Sequence, residues 1–154
     1  MEKRVSDVLD VAIKREDEAY TFYMDIYNKV ADASARHTLE FIAGEEKKHK
    51  AFLVKYREGK SGSQGLRMSE VVDYKIAEHL EDPEIDENLK NEEIYLVASH
   101  RELRSYEFYT ELANLHIEGE LKQILLKMAN EELKHKEKME YLYANTAFPQ
   151  TSGG

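Results

Sequence analysis

Four stretches of the chain place their apolar residues at alternating steps of three and four, the spacing of a helix that faces a bundle core. In the first, from about Val5 to Val30, the inward stripe reads Leu9, Ile13, Glu16, Tyr20, Tyr23, Tyr27 and Val30. A glutamate stands there in an apolar position. The second stretch, which Asp32 or Ser34 can cap and which stops near Gly59, carries Leu39, Ile42, Glu46, His49, Leu53 and Tyr56. The third, from about Asn91 to His116, presents Tyr95, Ser99, Glu102, Tyr106, Tyr109, Ala113 and His116. The fourth follows a short link around Gly119, runs to about Asn145, and carries Leu125, Met128, Glu132, His135, Met139 and Leu142. Every stripe is interrupted midway by groups that ionise.

The connection from Glu58 to about Asn91 is too long for a hairpin and opens with the loop-forming run GKSGSQG. Within it, Ser69 can cap a short helix bearing Val72, Ile76 and Leu80 that ends before Pro83. Shifting the sequence by 86 aligns Val11–Leu53 with Val97–Met139, and 15 of the 43 positions are identical, where chance gives about three. The chain is therefore a duplicated helix pair. Two hairpins joined by a long crossover predict an all-α, ferritin-like four-helix bundle over residues 1–145, with 146–154 as a flexible tail.

The repeat carries the candidate chemistry. Glu46-Lys47-Lys48-His49 recurs as Glu132-Leu133-Lys134-His135, and a Glu and a His three apart on a helix can grip one metal ion. Glu16 and Glu102 each precede the next inward glutamate by 30 residues, so Glu16, Glu46, His49, Glu102, Glu132 and His135 should meet at one depth. Four buried carboxylates without counter-ions would cost several kcal/mol per charge or become protonated, whereas two divalent cations neutralise them. One Glu from each of two helices and a Glu-x-x-His from each of the others is the ligand pattern of di-iron and di-manganese carboxylate bundles. Mixed oxygen and nitrogen ligation suits iron or manganese, with zinc as a further occupant. Glu45, Glu131, His37, His79, His100 and His116 fall outside the pattern and are expected to lie outside the site. Gly44, beside Glu46 in mid-helix, costs about 1 kcal/mol relative to Ala and leaves room for a close helix approach.

Composition narrows the alternatives. The chain has no cysteine, which removes disulfides, thiolate catalysis and sulfur-ligated metal. A formal charge of −9 disfavours nucleic acid and anionic membranes as partners. MEKRVSDVLD lacks an apolar h-region, no run approaches the roughly 18 apolar residues of a membrane span, and a cytoplasmic protein is expected.

The phrases AIKREDEAYTFY, EEKKH, ASHRELRSYEFY and EELKH, together with the ligand order, resemble the rubrerythrins, specifically their ferritin-like di-iron domain. The resemblance covers roughly Ser6 to Tyr143. It implies two iron ions, with Glu16 and Glu102 as single ligands, Glu46 and Glu132 as bridges, the histidines as terminal ligands, and Tyr23 and Tyr109 hydrogen-bonding ligand carboxylates. It also implies reduction of hydrogen peroxide or dioxygen in oxidative-stress defence, and a homodimer whose long crossover leaves room for exchange of a helix pair. Two features depart from the family. The four-cysteine rubredoxin-like site has no counterpart here, so electrons are expected from a separate donor protein; and Ser105 stands where the family carries an extra glutamate one turn after the third-helix ligand. A ferroxidase that handles iron, or a non-catalytic metal-binding bundle, are the alternative readings.

Overall fold

The computed structural model describes residues 3–60, 62, 66, 68, 70–86, 88–115 and 119–149. Four helices make up the fold: α1 (Lys3–Tyr27), α2 (Ala33–Arg57), α3 (Asn91–Ala113) and α4 (Glu120–Ala147). The caps anticipated from the sequence form where the chain turns. Asp32 accepts the Ala35 N–H at 2.9 Å and starts α2. Gly59 takes φ +74° just beyond its end, and Gly119 takes φ +85° just before α4, both left-handed values that suit glycine. The third-helix stripe was expected to reach His116, which lies outside the described residues.

The core is two apolar clusters with a polar band between them. Leu9, Ala12, Leu53, Tyr109, Leu125 and Met128 belong to one cluster. Tyr23, Ile26, Leu39, Ile42, Val97 and Met139 belong to the other. Following the chain through these ends gives the directions: α1 runs from the first cluster to the second, α2 returns, α3 runs parallel to α2, and α4 parallel to α1. The crossover must therefore span the bundle's length. This is the connectivity of a ferritin-like four-helix bundle.

Two expectations need correction. The deepest residues of α1 are Leu9, Ala12, Glu16, Ala19, Tyr23 and Ile26, whereas Ile13, Tyr20 and Tyr27 sit on the shoulder of the stripe. Alanine's small side chain lets neighbouring helices approach there, and the larger rings close the groove beside it. The short helix in the crossover is not formed: residues 70–76 have no regular structure, and only a turn at Ala77–His79 follows. Its expected cap, Ser69, lies outside the described residues. The cause is competition for backbone N–H groups. Glu137 of α4 accepts the Val72 N–H at 2.7 Å and Glu140 accepts the Ala77 N–H at 2.8 Å. Lys136, fully buried, donates to Asp73 at 2.6 Å and to Glu140 at 2.9 Å, and lies 2.8 Å from Glu78. The crossover is thus held as an extended strap on α4.

Candidate metal centre

Each helix brings its interrupting residues into the polar band because the same stripe that buries its leucines buries them. Glu16, Glu46, Glu102 and Glu132 are all no more than 2% exposed, and His49 and His135 are each 6% exposed. Their ligand atoms form two overlapping groups. One contains Glu16, Glu46, His49 and Glu132; the other contains Glu46, Glu102, Glu132 and His135; within each, the donor atoms lie within 4.8 Å of one another. Glu46 and Glu132 belong to both. The imidazoles stack at one side of the cluster, with centroids 5.6 Å apart and planes inclined by 16°.

Both rings aim Nδ1 at the carboxylates. His49 Nδ1 lies 3.1 Å from Glu132, 3.8 Å from Glu16 and 3.9 Å from Glu46. His135 Nδ1 lies 3.4 Å from Glu46, 3.8 Å from Glu102 and 4.0 Å from Glu132. The tyrosines cross between hairpins. Tyr23 of α1 donates to Glu102 of α3 at 2.8 Å, and Tyr109 of α3 donates to Glu16 of α1. A second reciprocal pair reinforces this exchange: the Arg15 guanidinium lies over the Phe108 ring at 4.7 Å, and Arg101 over Phe22 at 5.5 Å.

Electrostatics distinguish the carboxylates. Burial, and then the charge of Glu46, pushes Glu16 well above the usual carboxylate range. Burial and the charges of Glu102 and Glu46 do the same to Glu132. Burial also opposes charge on Glu46, but contacts with Glu16 and His135 and the nearby imidazoles outweigh it and bring that group down to about 2. His135 moves the other way, as Glu102 and Glu46 overcome burial and raise it to about 10. Tyr23 and Tyr109 are raised well above their ordinary value by burial and the surrounding carboxylates, so both hydroxyls remain donors.

Oxygen atoms of Glu16, Glu46, Glu102 and Glu132, and Nδ1 of His135, are buried without a hydrogen-bond partner. Such groups are costly unless something else satisfies them. Divalent cations fit this donor set: hard carboxylate oxygens with one imidazole per group. Glu46 and Glu132 offer ligand atoms to both groups.

The remaining candidates separate cleanly. His37 and His79 are exposed, His100 lies in neither group, and His116 is outside the described residues. Gly44 does not mark a close approach, since a Cβ there would meet nothing within 4 Å. Glu45 and Glu131 are in neither group, as expected, but Glu131 touches one of the rings from outside. Its carboxylate reaches to 3.9 Å from His49 Nε2, and interaction with that ring holds it below the usual carboxylate range. It lies one residue off the inward stripe and its target is on the other hairpin, so periodicity within α4 carries no sign of the contact. A cavity of about 580 Å³ opens beside His135, with Glu45, Glu131, Tyr74 and Tyr141 in its wall.

Among the described residues no helix is long and apolar enough to cross a membrane. Searches of curated proteins and of solved structures return no significant match. The family model described as Rubrerythrin matches residues 1–57, which contain α1, α2 and the turn between them. That hairpin's Glu, Glu-x-x-His set is repeated on α3 and α4, so the first hairpin is similar to the rubrerythrins and the whole four-helix arrangement is consistent with a ferritin-like domain of that kind.

Proposed function

We propose that the chain is a non-haem di-iron oxidoreductase that reduces hydrogen peroxide or dioxygen. The observation that supports the reading is the pair of overlapping buried groups, each with one histidine and both sharing Glu46 and Glu132. In this reading Glu16, Glu46, His49 and Glu132 would hold one ion, and Glu46, Glu102, Glu132 and His135 would hold the other. When bound, two ferrous ions supply a two-electron reductant, matched to peroxide plus two protons and two electrons giving two waters. Manganese or zinc are the alternative occupants of the same donors.

The protein's own part is positioning and charge. Tyr23 and Tyr109 each donate to one oxygen of a carboxylate, Glu102 or Glu16, which orients the other oxygen inward. The two apolar clusters close the ends of the polar band. A separate one-electron donor protein restores the electrons in this scheme, because the sequence holds no cysteine for an iron–thiolate relay. The assembly proposed is a cytoplasmic homodimer. Stopped-flow oxidation of the diferrous protein by peroxide and by oxygen tests the function: oxidation much faster than that of free ferrous ion is expected, and an equal rate would overturn it.

A second reading, a ferroxidase that hands iron onward, draws on Ser105. That buried residue of α3 lies one turn after Glu102 and offers no carboxylate there. Repeated turnover of added ferrous ion with growth of a mineral product would favour this reading over peroxide reduction.

A further inference from the structure

We propose that Glu131 is a positioning residue that fixes the His49 imidazole and makes the two halves of the centre unequal. The proposal rests on the metal-centre reading above and adds to it a residue and an asymmetry. The two nitrogens of His49 face different groups. Nδ1 points into the buried carboxylates, nearest Glu132 at 3.1 Å, and Nε2 points outward to Glu131 Oε2 at 3.9 Å. A carboxylate on the outer side holds the proton on Nε2, leaves the Nδ1 lone pair for a metal, and raises the ring's basicity. At 3.9 Å the pair is a charge contact longer than a hydrogen bond. Glu131, with its side chain one-fifth exposed, approaches the ring from the rim of the bundle.

The duplicated partner does something else. Glu45 occupies the equivalent position in the first hairpin and pairs with Lys48 at 3.5 Å. Among the described residues, the carboxylates within 4.0 Å of His135 are Glu46, Glu102 and Glu132, and all of them face Nδ1. Two identical residues at matched positions therefore have different partners. One imidazole is approached from outside by an acid of the opposite hairpin, and the other borders the cavity with no carboxylate within 4.0 Å of Nε2 among the described residues. The His49 half should hold its ion more tightly, and the His135 half should exchange it more readily.

Cobalt(II) titration of the metal-free protein under anaerobic conditions, followed by calorimetry and visible absorption, tests this. Wild type should take up two ions with unequal affinity. Glu131→Gln should weaken the tighter ion about 10–100-fold and leave the weaker one unchanged. Glu45→Gln should alter neither. A purely structural role is separated by background: Glu131→Gln should have no further effect once His49→Ala has removed the ring, yet keep its full effect beside His135→Ala. Equal loss at both ions, an unchanged titration, or an undiminished effect beside His49→Ala would overturn the role given to Glu131. Wild type that takes up no cobalt would overturn the metal-centre reading itself.

Discussion

The Tyr23 hydroxyl of α1 donates to Glu102 of α3 at 2.8 Å, and its repeat-equivalent Tyr109 returns the contact from α3 to Glu16 of α1. The hydroxyls that hold the two lone glutamates are thus exchanged between the hairpins, each hairpin supplying the donor for the other's carboxylate. Tyr23→Phe should leave a buried Glu102 oxygen without its donor while keeping the ring's packing. Bound metal should weaken about 10–100-fold, with about 1–3 kcal/mol lost from the apo-protein. Metal titration and denaturant unfolding of the same variant measure the two effects.

Chelation should lower the melting temperature. Cations that bind only the folded state stabilise it by mass action, by about 4 kcal/mol at a thousandfold excess over Kd. For a chain of this size that corresponds to a shift on the order of 10 °C. Scanning calorimetry of metal-loaded and verified metal-free protein checks it, and coincident curves would contradict a buried ion site.

The strap on α4 should be sensitive to acid through Asp73. Burial opposes ionisation of Asp73, but the Lys136 ammonium and the Lys75 N–H outweigh it and hold its folded pKa below the usual value. A depressed carboxylate contributes stability that is full above its unfolded pKa, near 3.9, and lost as pH falls through the folded value. Asp73→Asn should therefore cost about 1.5–3 kcal/mol at neutral pH, and the difference from wild type should shrink below about pH 4. Unfolding of the metal-free proteins across pH 2–7 is the measurement. Lys136→Met, which leaves Asp73, Glu78 and Glu140 facing one another, should cost more, about 3–5 kcal/mol.

Gly44 offers a gain. It lies inside α2, and an added Cβ would meet nothing within 4 Å. Gly44→Ala should raise stability by about 0.5–1 kcal/mol through helix propensity alone. Chemical denaturation should show a higher midpoint with an unchanged slope.

What could be read in the sequence depended on whether the signal was local. Glu16, Glu46, Glu102 and Glu132 were legible because a carboxylate on an apolar stripe breaks a strong periodic pattern, and the repeat shows the break twice. The strap was not legible. Lys136 looks like one more lysine in a charged helix, and its partners Asp73 and Glu78 are far away in sequence. Local propensity favoured a helix after Ser69, but Glu137 and the buried Glu140 on α4 capture the Val72 and Ala77 N–H groups. Glu131 was hidden for a related reason: its contact with His49 crosses between hairpins, and matching it to Glu45 by repeat suggests an equivalence that the structure does not keep.

The central claim is that six residues from four helices hold two ions, and anomalous diffraction from crystals loaded with ferrous ion tests it most directly. Two iron peaks roughly 3–4 Å apart are expected. Glu46 and Glu132 should touch both, His49 and Glu16 one, and His135 and Glu102 the other, each imidazole through Nδ1. A lone peak, or iron seated instead among Asp73, Glu78 and Glu140, would contradict the account.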